Sequence, residues 1–83
     1  MNTNQSILRH SYKGKNRLKN MLHQEIYRNH KDVNSSPNIS NMSDLAESYH
    51  KLGVYYRKHS NLSKSNMYLK KAQIIKKNLE ILH

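Results

Sequence analysis

From Leu62 to Leu82 apolar and small residues recur at spacings of three and four: Leu62, Ser65, Leu69, Ala72, Ile75, Leu79 and Leu82. That period places all seven on one face of an α-helix, and neither glycine nor proline interrupts it. A strand would show apolar residues at every second position, and no stretch of the chain does so. The fold must therefore be built on helix–helix contacts. Upstream, Leu45, Tyr49, Leu52 and Tyr56 form a second stripe with the same period. His59-Ser60-Asn61 separates the two stripes, and Asn61 is suited to cap the helix that follows. The spacing predicts two antiparallel helices at 44–58 and 62–82. Ser43 or Asp44 would start the first of them, with Glu47 three residues beyond Asp44 completing a capping box.

Only one segment has the composition of a linker. Asn34-Ser35-Ser36-Pro37-Asn38-Ile39-Ser40-Asn41 gathers the sole proline with serines and asparagines, residues that favour turns. It divides the chain into a basic helical segment at 1–33, a linker at 34–43 and a helical hairpin at 44–83. In the first segment Leu18, Leu22 and Ile26, with Met21 alongside, mark a helical face that Ile7, Leu8 and Tyr12 extend backward. Gly14 stands between the two groups, and glycine inside a helix costs about 1 kcal/mol relative to alanine. A break is expected there, giving a helix near 15–31 with or without a shorter one at 5–12. The expected fold class is all-α: a helical hairpin plus one or two N-terminal helices.

The size of the chain limits what such a fold can do. Eighty-three residues make one small domain, and only 35% of them are apolar. There is no cysteine, hence no disulfide to support a small core and no thiolate for metal or nucleophilic chemistry. No apolar run is long enough to span a bilayer, and the first five residues lack the pattern of a signal peptide, so a cytoplasmic, intracellular location is expected. Fifteen lysines and arginines face five acids, a net charge of +10 that suits polyanions or acidic protein surfaces as partners. The densest basic stretch is Arg9, Lys13, Lys15, Arg17 and Lys19.

The hairpin carries a finer pattern. In order it reads Ala46, Tyr49, Leu52-Gly53, Tyr56, Ser60-Asn61-Leu62, Ser65, Leu69 and Ala72. Over residues 46–79 this resembles one tetratricopeptide repeat, a helix–turn–helix unit of about 34 residues with an aromatic, a Leu-Gly pair, a tyrosine and then small and bulky residues in turn. Each match has a packing reason. Gly53 lets the second helix approach, Tyr49, Leu52 and Tyr56 fill the space between the helices, Ser65 and Ala72 are small at the crossing, and Leu69 plugs the gap. Ser60 stands where the family has glycine, Ser65 where it has alanine and Lys77 where it has proline. No second copy is visible. A single repeat cannot bury its own faces, so the missing surface must come from the N-terminal helix, a second copy of the chain or a larger partner.

The resemblance implies binding through the inner face of the first helix, which by position carries Glu47, His50, Val54, Arg57 and Lys58. A mainly cationic face of that kind suits an acidic segment or surface of a larger protein, as for a small adaptor or inhibitor. The alternative is a nucleic-acid binder that lays Arg9, Lys13, Lys15, Arg17 and Lys19 along phosphates, with Tyr12 and Tyr27 for stacking. Six histidines include no pair four apart, and His23 and His30 are seven apart on one helix face, so neither metal nor cofactor is expected. Gly14 and Gly53 are the only glycines, which leaves no phosphate loop, and no acid–base pair stands in a catalytic context. An enzyme is not expected.

Overall fold

The chain ends and turns show how these helices are punctuated. The computed structural model describes the backbone of residues 3–82 and the side chains of residues 17–81, and comprises α1 (Thr3–Ser35), α2 (Ile39–Lys58) and α3 (Leu62–Leu82). No strand occurs among the described residues, so the protein is all-α. The α2–α3 boundary falls where the apolar spacing puts it. Ser60 NH donates to Arg57 O and Asn61 NH to Tyr56 O at 3.2 and 2.9 Å, the paired bonds of a Schellman closure. That closure needs a left-handed residue, and Ser60 supplies it with φ of 61°. Asn61 Oδ1 then accepts from Lys64 NH at 3.1 Å and caps α3.

Two boundaries differ from the sequence expectation. α2 begins at Ile39 rather than at 44, and its cap is Asn38, whose side-chain oxygen accepts from Asn41 NH at 2.8 Å. Ser43 and Asp44 lie inside the helix, and the connection shrinks to residues 36–38. The asparagines that look like loop residues are the capping machinery. Asn41 Nδ2 donates to Ser36 O at 2.8 Å and to Asp32 O at 3.2 Å, satisfying carbonyls at the end of α1 from the first turn of α2.

The second difference is α1, which runs unbroken through Gly14. One glycine costs about 1 kcal/mol inside a helix, whereas stopping and restarting would require a second unfavourable nucleation. A single helix is the cheaper solution.

α2 lies in the middle and packs against both neighbours, while α1 and α3 meet through side chains alone. The assembly measures 56 × 28 × 12 Å, a layer about one helix thick. Its radius of gyration is 16.0 Å, against about 12 Å for a compact chain of this length. The core is correspondingly thin. Leu22, Leu52 and Tyr56 form one cluster, with Ile26, Tyr55 and Tyr68 against it. Leu45, Tyr49 and Ala72 form the next, with Ile26, Val33, Tyr68 and Ile75 around them.

α2 and α3 approach closely where they cross at Gly53. A Cβ on Gly53 would lie 2.7 Å from Leu69 Cγ and Cδ2 and 3.2 Å from the Leu69 backbone nitrogen. Ser65 is buried to 1% exposure, and its hydroxyl donates across the helices to Gly53 O at 2.8 Å. Ser48, equally buried, donates to Leu45 O at 2.8 Å within α2. Gly53, Ser65, Leu69 and Ala72 thus occupy the places that their sizes suggest. No described helix is long and apolar enough to cross a membrane.

Candidate binding surface

The buried residues of α2 leave the opposite side of that helix to solvent. Glu47, His50, Arg57 and Lys58 are exposed and Val54 is half-buried, at spacings that keep all five on one stripe. The fold therefore brings this sequence-predicted group together. Lys51 lies on the same side and holds Glu25 of α1 at 3.5 Å, with both side chains well exposed. An ion pair of that kind contributes no more than about 1 kcal/mol. The stripe is cationic at its carboxyl end, where Arg57 and Lys58 stand, and it lies on a helix with seven buried residues.

The second predicted group is divided. Arg17 is exposed and Lys19 half-buried, while the side chains of Arg9, Lys13 and Lys15 lie outside the described residues. The continuity of α1 keeps Arg9, Lys13 and Arg17 at every fourth position of one helix, and that register aligns them as a ridge.

A third arrangement lies along the seam of the three helices. Tyr56, Tyr68 and Tyr49 stack in series, with ring centroids 5.8 and 6.0 Å apart. Two α1 histidines meet this ladder edge-on. His23 Nε2 is hydrogen-bonded to the Tyr56 hydroxyl at 3.1 Å, and His30 Nε2 is hydrogen-bonded to the Tyr49 hydroxyl. Lysines of α3 close its two ends, Lys64 over Tyr56 at 5.3 Å and Lys71 over Tyr49 at 5.8 Å. Sequence reasoning found the histidine spacing and missed its use. The signal was there: His23 and His30 are seven apart, as are Tyr49 and Tyr56, so two antiparallel helices in one register satisfy both pairs.

Burial acts on these groups in opposite directions. It pulls the His23 imidazole below its ordinary value, helped by the positive charges of Lys19 and Lys64. It raises the Tyr49 phenol, with the Tyr68 phenol adding to the effect, and it raises Tyr68, with Tyr56 adding. All three shifts favour the neutral form.

The outer side of α3 is open as well. Met67, Ile74 and Ile81 are exposed at spacings of seven, turned away from buried Ser65, Ala72 and Leu79, which have the same spacing. α1 thus covers the inner side of the hairpin and leaves the outer side of α3 open. Among the described residues no three histidines or carboxylates gather as a metal ion would require. No protein-family model, curated protein or solved structure matches this chain.

Proposed function

We propose that the protein is a non-enzymatic interaction module, a small adaptor or inhibitor, whose α2 stripe binds an acidic segment or surface of a larger protein. The observation that carries this reading is the placement of His50, Lys51, Arg57 and Lys58 on the exposed side of the middle helix, behind the close approach of Gly53 to Leu69. A rigid helix holds charged side chains in fixed relative positions, which lowers the ordering cost of binding. The resemblance of residues 46–79 to a tetratricopeptide repeat supports the same face. The test is charge reversal at Arg57 and Lys58. Capture of the acidic partner should be lost, with helical content and thermal midpoint nearly unchanged.

A second reading rests on the unbroken course of α1. With Arg9, Lys13 and Arg17 in one register, and Lys15 and Lys19 adding positive charge elsewhere around the same helix, α1 can follow a phosphate backbone. Such binding would weaken steeply with salt, because each neutralised phosphate releases counterions. Affinity measured across a salt series separates the two readings.

A further inference from the structure

Basic and protonatable groups from two helices converge where α1 passes the start of α3. Lys19 and His23 are one turn apart on α1, and Lys64 stands in the first turn of α3. Tyr56 of α2 ties them together. Its hydroxyl is bonded to His23 at 3.1 Å, and Lys64 Nζ lies 5.3 Å from its ring centroid. Tyr68 of α3 completes the floor, its ring centroid 6.2 Å from that of His23. Both lysines act on His23 through space, and no carboxylate acts against them.

The described acids are placed elsewhere. Glu25 is two residues from His23, hence on nearly the opposite side of α1, and is engaged with Lys51. Asp32 and Glu47 are nine residues along their helices from His23 and Tyr56, about 13 Å of rise, and Asp44 and Glu80 are farther still. Lys19, Lys64 and the amino end of α3 therefore superpose positive potential on one spot with nothing to offset it. Like charges gathered in this way oppose folding unless an anion joins them.

We infer that the surface cluster of Lys19, His23 and Lys64 around Tyr56 is a binding site for a phosphate group. The two ammonium groups supply point charges to its oxygens, and His23 takes up a proton from solvent as the anion arrives. The site lies on the other side of α2 from the stripe of Glu47 to Lys58 and does not rest on the function proposed for that stripe. The phosphate is either free or carried on a larger molecule, and the chemistry of recognition is the same.

The test is a histidine NMR titration of the full chain in chloride and in inorganic phosphate at equal ionic strength. The His23 resonance should titrate about one pH unit higher in phosphate, because an opposite charge nearby favours the protonated ring. The resonance of exposed His59, outside the α2 stripe, serves as the internal reference. Lys64→Gln and Lys19→Gln should each reduce the His23 shift, and Lys64→Arg should retain it, with circular dichroism confirming that every variant is folded. A His23 shift no larger than that of His59, or one that survives both glutamine variants, would overturn the site. Addition of a single-stranded oligonucleotide then identifies the source. Displacement of phosphate assigns the site to a nucleic-acid backbone, and its absence assigns it to free phosphate or a phosphomonoester.

Discussion

His23 of α1 and Tyr56 of α2, 33 residues apart in sequence, are joined by a hydrogen bond of 3.1 Å. His30 and Tyr49 repeat the same contact two turns away. Together these pairs fix the register of α1 on the hairpin, with Leu22, Ile26 and Val33 supplying the apolar contact beside them. Replacing both histidines by alanine should cost about 1 kcal/mol per bond. The loss should fall on the docking of α1, so amide exchange should accelerate in α1 more than at the α2–α3 crossing.

The same histidine gives stability a pH dependence. The folded state holds His23 below its ordinary value of 6.5, so between the two values the unfolded chain binds more protons. The contribution of the neutral ring is complete above pH 6.5 and is lost as pH falls through the folded value. Denaturant midpoints should decline on acidification across that window, and His23→Gln should flatten the decline.

Alkaline pH works in the other direction. Tyr49 and Tyr68 are held above the ordinary phenol value of 10.0, so the folded state keeps protons that the unfolded chain releases. Their contribution is complete below pH 10 and disappears as pH rises through the folded values. Ultraviolet titration should show Tyr49 and Tyr68 ionising late, together with unfolding.

Gly53→Ala tests the helix crossing. The added methyl meets Leu69 at 2.7 Å on its side chain and 3.2 Å on its backbone, and the backbone cannot rotate away. Overpacking of this kind costs about 1–3 kcal/mol. Adding Leu69→Ala to Gly53→Ala should recover less than half of it, since the backbone contact and a lost core side chain remain.

Ser60→Gly should do the reverse. Ser60 is exposed and left-handed, a conformation that costs a residue with a Cβ about 1 kcal/mol. The glycine variant should raise the unfolding midpoint by a corresponding amount, and Ser60→Val should lower it.

How much of this was legible in the sequence depends on the range of the interaction. The turn at 59–61 and the extent of α3 follow from apolar spacing and one asparagine cap, all local. Gly53 and Leu69 were readable because a glycine amid tyrosines and leucines implies a close neighbour. The start of α2 was not readable, because asparagine and serine serve equally as loop residues and as caps. Asn41 bonding back to Asp32 and Ser36 decides that ambiguity, and it is a tertiary fact. The stripe from Glu47 to Lys58 is picked out by the resemblance to a tetratricopeptide repeat, and its exposure follows from the helical spacing of α2. That Lys19 and Lys64, 45 positions apart, both act on His23 has no sequence signature at all.

The central claim is that the exposed stripe of α2 captures an acidic protein surface. Its most direct test is affinity capture from a lysate of the source cells at moderate salt, with and without nuclease, using the native chain and the Arg57→Glu, Lys58→Glu double variant. The account predicts one dominant protein that survives nuclease with the native chain and is lost with the variant. Recovery that collapses with nuclease, or equal capture by the charge-reversed variant, would contradict it.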